Sequence, residues 1–407
     1  MKHITGRWPV HFTVVLLLCA ATFISYIDRT NISVGAIAMQ SQFGWTETQK
    51  GLVLSAFFVG YLLMMVASGA LAHRFGGKIV LGIAVIWWSL CTILTPPAAL
   101  SSLSVLVMAR IALGLGEAAV FPASINLIGR WVPAPQRTRA VSMLASALYL
   151  GTVFSLPVTG WLVRDFGWPV PFYLFGLVGI VWALVWFARV ASEPPGVSRS
   201  DPKPKIPWMG LLRLPAVWSI IVGHVCHNWT LYLLLAWLPS YFKTTFGVSL
   251  LDAGIYSAAP WMTGFLVCNL TGVITDYLLA KGRSATLVRK IMVALGLGGV
   301  AIFVLQLPSA TSVLGAVVLT CCATGALSIS NSGFATNCFD LAPRHSEVIW
   351  GISNTFATLP GIFGVYITGW LIDRTGSYAV PFFVTGGITL FGTIFYLLFA
   401  SGERKFD

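Results

Sequence analysis

The sequence predicts an all-α membrane protein of twelve transmembrane helices, arranged as two pseudo-symmetric six-helix halves. The 407 residues are 57% hydrophobic and only 9% charged, whereas about 25% of residues in a globular domain are charged. The 16 Trp and 40 Gly residues are typical of helices that pack closely in lipid and carry Trp at the interfaces. Twelve apolar stretches are each long enough to cross a hydrocarbon core of about 30 Å, which takes about 20 helical residues.

The twelve stretches follow one another along the whole chain. The first is expected to be a retained helix rather than a cleaved signal, because no small-residue cleavage site closes it and its end carries Asp28 and Arg29. Strands of a β-barrel would alternate over about ten residues, and no such pattern occurs. The predicted spans are residues 9–31, 49–73, 78–97, 103–129, 138–163, 171–190, 214–242, 251–280, 287–307, 311–335, 347–372 and 379–401.

The basic residues predict the orientation of these spans. With the N-terminus in the cytoplasm, most of the 25 Lys and Arg residues fall in cytoplasmic tails and connections. The exceptions are Lys50, Arg164, Lys243 and Arg374 on the other side, and Arg29 and Arg110 within spans. This asymmetry follows the positive-inside rule and predicts a multi-pass inner-membrane protein with both termini cytoplasmic. It also explains the net charge of +12 without a nucleic-acid partner.

A proline-rich, basic stretch divides the chain into two halves. We predict an N-terminal half (residues 1–190), a cytoplasmic linker (191–213) and a C-terminal half (214–407). The halves share a pattern, because Gly160-Trp-Leu and Gly369-Trp-Leu are each followed by an acid, an arginine, a glycine and Pro-Phe. An even number of spans in each half makes this repeat parallel, and such repeats place a substrate site at mid-depth between the halves.

Two acids and two arginines of the predicted spans stand out against their apolar surroundings. Asp28 and Arg29 are near the end of the first, and Arg110 and Glu117 are seven residues apart in the fourth. Seven helical steps of about 100° return almost to the starting direction, so we expect Arg110 and Glu117 to face one side of their helix. Asp28 and Arg29 point about 100° apart, so we expect one to enter the central cavity while the other contacts a neighbouring helix. Ionisable residues within a membrane are by default candidates for a functional site.

The balance of these charges predicts proton coupling. Two ionised acids neutralise two arginines, and protonating both acids leaves positive charge that attracts an organic anion. We interpret Asp28 and Glu117 as proton carriers and Arg29 as the carboxylate ligand, because its planar guanidinium matches a carboxylate. Arg110 is interpreted mainly as a partner of the acids at the edge of the substrate site. The alternative is a static salt-bridge network that fixes the first helix against the fourth.

Several motifs resemble those of a known family. Segment two ends in Gly69-Ala-Leu-Ala-His-Arg-Phe-Gly-Gly-Lys78, which resembles the loop signature Gly-x-Leu-x-Asp-Arg-x-Gly-x-Lys/Arg of the major facilitator superfamily. Three segments resemble its anion:cation symporter family, which includes bacterial transporters of hexonates, hexuronates and aldarates and animal vesicular glutamate and sialic acid carriers. They are Tyr26-Ile-Asp-Arg-Thr-Asn-Ile-Ser33, Arg110-Ile-Ala-Leu-Gly-Leu-Gly-Glu-Ala-Ala-Val-Phe-Pro122 and His227-Asn-Trp-Thr-Leu-Tyr232.

The resemblance implies the major facilitator fold and roles for particular residues. It implies protonation at Asp28 and Glu117, and a substrate site that contains Arg29 and is lined by Tyr26 and Tyr61. It also implies a cytoplasmic gate formed by Gly69, His73, Arg74, Gly77, Lys78 and the equivalent Asp276 of the second half. The family has an acid where this chain has His73, so the gate is expected to be looser or pH-sensitive, unless the substitution is simply tolerated.

Further polar residues of the spans are candidates for the substrate site. A His-Asn pair in segment seven is suited either to binding hydroxyl groups or to bridging helices, and asparagines in segments ten and eleven are open to both interpretations. These candidates are Ser146, Tyr149, His227, Asn228, Trp229, Asn331 and Asn354. The seven cysteines lack a metal-ligand spacing, and we predict neither a metal nor a cofactor.

The predicted function is transport. We expect a monomeric, proton-coupled secondary transporter that imports a small organic anion, such as a sugar acid, by alternating access of its two halves. Helix five carries only part of the glycine-proline run of drug antiporters, since Leu156 and Trp161 replace two of its glycines, and this favours symport. An export antiporter for drugs or amphiphiles and a membrane ligand sensor are the alternatives. An enzyme is not expected, because no soluble domain is predicted.

Overall fold

The computed structural model describes residues 10–133, 136–191 and 208–404. Within these ranges, twelve helical spans are long and apolar enough to cross a membrane, and no residue is in a strand. The predicted fold of twelve transmembrane helices is therefore confirmed. Most of the predicted linker, residues 192–207, lies outside the described residues, so its cytoplasmic placement and the exact limits of the halves stay predictions.

Six spans form the N-terminal half and six form the C-terminal half. The first six are α1 (Val10–Phe43), α2 (Glu47–Phe75), α3 (Gly77–Ser101), α4 with α5 (Leu103–Glu117 and Val120–Trp131), α6 (Arg137–Phe166) and α7 (Pro169–Arg189). A short helix, α8 (Trp208–Leu212), precedes the second set. That set is α9 (Pro215–Phe246), α10 (Leu250–Ala280), α11 with α12 (Ala285–Val293 and Gly299–Gln306), α13 (Val313–Leu341), α14 (Ser346–Thr375) and α15 (Ala379–Phe399).

Two predicted spans differ from the structure. The prediction that the first helix ends near residue 31 is wrong, because α1 continues to Phe43 and places Asp28 and Arg29 in its interior. The added residues contain no proline, and the helix ends only before Gly44, which has a φ of 66°. The fourth span is divided at Ala118 and Ala119, so that Pro122 falls in the first turn of α5, where its missing N–H is tolerated.

The helix order defines two sides of the molecule. Twelve crossings place residues 10 and 404 on one side, which we call the terminal face. The other side, which we call the opposite face, carries the connections that follow α1, α3, α6, α9, α12 and α14. The halves meet along two pseudo-symmetric helix pairs, α2 with α14 and α6 with α10.

Glycines bring both helix pairs into close contact at the opposite face. A Cβ atom on Gly369 of α14 would lie 2.3 Å from the carbonyl oxygen of Glu47 on α2. A Cβ atom on Gly254 of α10 would lie 2.4 Å from the carbonyl oxygen of Leu156 on α6. Distances this short exclude any larger residue, so each glycine allows the two halves to pack backbone against backbone.

The helix pair α2 and α14 carries an additional polar contact across the halves. The carboxylate of Asp373, near the end of α14, accepts hydrogen bonds from the backbone N–H groups of Glu47 (2.8 Å) and Thr48 (2.6 Å) and from the Thr48 hydroxyl. These N–H groups belong to the first turn of α2 and lack partners within their own helix. Asp373 is thus a helix cap supplied by the other half.

The pair α6 and α10 has no such cap in the ranges that the structure describes. The first turn of α10 is capped by its own Ser249, whose hydroxyl accepts from Asp252 N–H at 3.1 Å. Asp165, near the end of α6, forms an ion pair of 2.6 Å with its neighbour Arg164. The halves are therefore tied by a helix cap on one pair only.

Candidate functional site

The centre of the candidate site is a buried ion pair between α1 and α4. Arg29 donates to one oxygen of Glu117, Oε2, through Nη2 at 3.0 Å and Nε at 3.3 Å. Glu117 is fully buried and Arg29 is 8% exposed. A buried arginine–carboxylate pair of this kind must satisfy its charges internally, because lipid and protein offer little solvation.

A third donor reaches the same oxygen. The hydroxyl of Ser25 on α1 lies 2.9 Å from Glu117 Oε2. Glu117 Oε1, in contrast, is buried without a hydrogen-bond partner among the described residues. Ser25 was not singled out from the sequence, although it lies one helical turn before Arg29 and therefore on the same side of α1.

Aromatic rings enclose the Arg29 guanidinium. Its carbon lies 4.7 Å from the ring centres of Tyr26 and Phe57 and 5.0 Å from that of Tyr61. Nη1 also donates to the Tyr26 hydroxyl at 3.4 Å. Such cation–π contacts stabilise a guanidinium that has left water. Both predicted tyrosines therefore stand beside Arg29, and Phe57 is an aromatic residue that the sequence interpretation missed.

Two glycines set the distance between α2 and α4 at this level. A Cβ atom on Gly114 would lie 2.0 Å from the carbonyl oxygen of Phe57, and one on Gly60 would lie 1.9 Å from that of Ile111. The helices therefore touch through their backbones. This contact brings the rings of α2 close to the ionisable residues of α4.

Arg110 forms no hydrogen bond or ion pair with the acids among the described residues, so its role as their partner stays a prediction. Its guanidinium lies 5.6 Å from the ring centre of Phe57, and its Nε and Nη1 have no hydrogen-bond partner among the described residues. Both Asp28 oxygens are likewise buried without a partner in the described ranges. The ion pair of Glu117 is with Arg29 instead.

Three candidates of α9 bridge helices of the C-terminal half. His227 Nδ1 lies 2.9 Å from the Ser330 hydroxyl of α13. Asn228 donates to the carbonyl of Ala357 on α14 at 2.8 Å, and Trp229 donates to the Thr385 hydroxyl of α15 at 3.2 Å. Of the two interpretations that the sequence left open, these contacts match helix bridging.

Other candidates lie where the halves meet. The Tyr149 hydroxyl is 3.3 Å from that of Ser328, which joins α6 to α13. Asn354 of α14 donates to the sulfur of Met65 on α2 at 3.1 Å. Ser146 and Asn331 are half-buried on α6 and α13. These residues surround the interface, but only Tyr26 and Tyr61 among the polar candidates lie against Arg29.

The predicted gate residues lie at the terminal ends of α2 and α10 and in the first turn of α3. His73, Arg74 and Asp276 are exposed, and Arg74 packs over the ring of Phe75 at 5.2 Å. Gly77 is buried, and a Cβ atom there would lie 2.7 Å from the Leu127 side chain. The structure brings these residues to one face without joining them to the central site.

The arrangement at Arg29 is suited to binding an anion. The guanidinium has one carboxylate partner in the described ranges, is held by rings, and lies near the boundary between the halves, since Phe58 of α2 packs at 4.3 Å against Tyr232 of α9. The described residues contain no group of three or more His, Cys, Asp or Glu placed to hold a metal.

A family model for the Major Facilitator Superfamily matches residues 18–365. The chain belongs to the Major Facilitator Superfamily. As the members of this superfamily do, it carries its two six-helix bundles in one chain, and the superfamily resemblance inferred from the loop after α2 is confirmed. The finer resemblance is supported by relatives along the whole chain.

Three plant relatives are each 38% identical to this superfamily member. "Probable anion transporter 1, chloroplastic" of Oryza sativa subsp. japonica aligns over 99% of this chain and 79% of its own length. "Sodium-dependent phosphate transport protein 1, chloroplastic" and "Ascorbate transporter, chloroplastic" of Arabidopsis thaliana align over 98% of this chain and over 81% and 77% of their own lengths.

Solved structures of the superfamily share the fold. A bacterial homologue of the human lysosomal transporter Spinster, in an inward-facing and unoccupied conformation, has a TM-score of 0.81 at 20% identity and covers 97% of each chain. A D-xylose-proton symporter has a TM-score of 0.77 at 15% identity and covers 97% of this chain and 99% of its own.

Proposed function

We propose that this protein is a secondary transporter that carries a small organic anion across a membrane together with protons. The observation that best supports this proposal is the Arg29–Glu117 pair. A guanidinium that is buried near the boundary between the halves, and neutralised by an acid, is able to exchange that acid for a substrate carboxylate.

The proposed cycle uses the charges of the site. Proton uptake by Glu117 removes the negative charge that holds Arg29, so Arg29 becomes available to the incoming anion. Asp28 is proposed as the second protonation site, since its carboxyl group is buried and it directly precedes Arg29 in α1. The loaded carrier then rocks about the central site. The empty carrier returns once Glu117 has lost its proton and pairs with Arg29 again.

A hydroxylated carboxylate, such as a sugar acid, is the proposed substrate class. The relatives named above are an ascorbate transporter, a phosphate transport protein and a probable anion transporter. In all three names the substrate is an anion, but the anions differ in their chemistry. One name also gives a coupling ion, sodium. The planar fork of Arg29 together with the neighbouring tyrosine hydroxyls favours a carboxylate that also carries hydroxyl groups.

The membrane orientation is part of the proposal. The terminal face carries most of the Lys and Arg residues of the connections, so we propose that it faces the cytoplasm of a bacterial cell or the equivalent compartment. Access of an impermeant thiol reagent to single cysteines placed in the two faces of sealed vesicles tests this assignment.

Uptake into proteoliposomes tests the function. Purified protein is supplied with radiolabelled D-gluconate, D-glucuronate, ascorbate or phosphate under an inward proton gradient, an inward sodium gradient or no gradient. We expect one hydroxylated carboxylate to accumulate under the proton gradient alone. Accumulation that requires sodium would contradict proton coupling, and preferential use of phosphate would contradict the substrate class.

The same preparation separates the two alternative functions. An export antiporter predicts that apolar cations leave the vesicles in exchange for protons and that Arg29→Ala has little effect. A ligand sensor predicts saturable binding without uptake. Asp340→Asn, in the partly buried Arg289–Asp340 pair of the other half, is the control for substitutions in the Arg29–Glu117 pair.

A further inference from the structure

Ser25 and Arg29 divide the contacts of Glu117 unequally between its two oxygens. Oε2 accepts from the Ser25 hydroxyl at 2.9 Å and from the Arg29 guanidinium at 3.0 and 3.3 Å. Oε1 is buried with no hydrogen-bond partner among the described residues. Ser25 is itself 1% exposed, so its hydroxyl has no competing bond to bulk water. The oxygen that is left to accept a proton is therefore Oε1.

Protonation changes the two contacts in different ways. A proton that binds Oε1 converts the carboxylate to a carboxylic acid, in which Oε2 is a carbonyl oxygen and still has lone pairs. A neutral hydroxyl is able to donate to that carbonyl as before, whereas the contact with the guanidinium is no longer an ion pair, because the attraction between opposite charges is lost.

We propose that Ser25 is a positioning residue that holds Glu117 in place in both of its charge states, so that Arg29 alone is released to the substrate when the acid takes up a proton. This role rests on the proposed proton-coupled function. It explains why a hydroxyl and a guanidinium on successive turns of α1 share one oxygen. Without Ser25, the protonated side chain would have no donor to keep it at the site.

The charged and titratable groups around Glu117 come from three helices. α1 supplies Asp28, Arg29 and Tyr26, α2 supplies Tyr61, and α4 supplies Arg110. On the side of α3, the residue that precedes Glu117, Gly116, lies against Trp87 and Trp88. Among the side chains that donate to Glu117 in the described structure, Ser25 is the uncharged one.

Infrared difference spectroscopy of the purified full chain tests this role without any substrate. Lowering the pH adds a carboxylic acid C=O band for each buried acid that is protonated, and Glu117→Gln identifies the band of Glu117. Ser25→Ala is expected to move that band to higher frequency, because the carbonyl loses its donor. Its midpoint is expected to rise by about one pH unit, because the carboxylate loses one hydrogen bond.

The control is Ser33→Ala. Ser33 is also buried on α1, but its hydroxyl donates to the carbonyl of Thr30 at 2.7 Å and does not contact Glu117. Ser25→Thr restores the hydroxyl and is expected to restore frequency and midpoint. Ser25→Cys, a weaker donor, is expected to give an intermediate shift and serves where Ser25→Ala does not yield folded protein.

Two results would overturn the role of Ser25 and are distinguishable from a failure of the proposed function. If the Glu117 band is present but Ser25→Ala leaves its frequency and midpoint as in Ser33→Ala, Ser25 does not position the acid, whereas proton uptake by Glu117 stands. If no band is lost in Glu117→Gln, Glu117 takes up no proton, and the proton-carrier role falls with it.

Discussion

Each half of the molecule contains an arginine–carboxylate pair between two helices, one buried and one partly buried, and the two pairs differ in their surroundings. Arg29–Glu117 joins α1 to α4 at 3.0 Å, beneath aromatic rings, with exposed side-chain fractions of 6% and 0%. Arg289–Asp340 joins α11 to α13 at 2.7 Å, with exposed fractions of 6% and 21%, and Arg289 also donates to the Ser332 carbonyl at 3.1 Å.

We propose that the difference separates an ion pair that a ligand is able to open from one that holds two helices together. Arg289 is anchored on two groups of the same neighbouring helix, so displacing Asp340 would cost a packing contact. Arg29 is anchored by Glu117 and by rings that contact its guanidinium whichever carboxylate it pairs with. In this proposal, an arginine–carboxylate pair serves exchange in one half and structure in the other.

The largest expected effect comes from removing the titratable acid of the N-terminal pair. Glu117→Gln should lower proton-driven accumulation of the substrate at least about tenfold, since an amide neither takes up nor releases a proton and one charge-assisted bond is lost. Counterflow exchange, which needs no net proton movement, should persist. Asp340→Asn, the control, should retain accumulation and lower the unfolding temperature. Full accumulation by Glu117→Gln would show that the two pairs do not differ in function.

Replacing each arginine by lysine keeps the charge and removes the planar fork. Arg29→Lys should raise the Kd for the transported carboxylate about tenfold, which corresponds to one charge-assisted hydrogen bond. Arg289→Lys should leave the Kd unchanged while reducing the unfolding temperature. Binding isotherms of the two variants at one pH make the comparison, and equal affinities would move the ligand role away from Arg29.

The backbone contact behind the N-terminal pair is tested with alanine. Gly114→Ala should destabilise the protein by about 1–3 kcal/mol, because the new methyl group would overlap the Phe57 carbonyl and force α2 from α4. Gly129→Ala in α5, where nothing lies within 4 Å, should be neutral or slightly stabilising. Thermal unfolding measures both; equal melting temperatures would show that α2 and α4 separate freely.

The smallest expected effect concerns the gate, where the halves carry different residues at equivalent positions. His73→Asp gives the N-terminal half the acid that Asp276 supplies in the C-terminal half. We expect this change to shift the populations of open and closed states a few-fold, an energy of about 1 kcal/mol or less for an exposed charge. Distances between spin labels across the terminal face report the populations. Identical distance distributions in the two proteins would show that His73 in place of an acid is simply tolerated.

The fold was largely predictable because hydropathy reports the long apolar stretch that a helix needs to span a membrane. The four ionisable residues were visible for the same reason, as charges in apolar surroundings. Their pairing was not, since Arg29 and Glu117 are 88 residues apart and their meeting depends on how α1 and α4 rotate against each other. Hydropathy carries no information on that rotation.

Other parts of the site needed the structure for related reasons. The polar run from Asp28 to Asn31 interrupts the apolar pattern and predicts an end to the first span, although the mainly apolar residues 32–39 continue the helix. Phe57 was indistinguishable from a core residue in a span full of them. Ser25 was recoverable, because it lies one turn before Arg29, but a serine in a membrane helix ordinarily bonds its own backbone.

The cap that Asp373 places on α2 ties the halves at the opposite face only, so access to Arg29 from the two sides of the membrane is expected to differ, and chemical labelling measures that difference. We expect this tie, together with the backbone-to-backbone contact at Gly369, to keep solutes on that side from Arg29 while it holds. A membrane-impermeant dicarbonyl that modifies guanidinium groups would then inactivate sealed vesicles from one side only, and breaking the tie with Asp373→Asn would make both sides reactive.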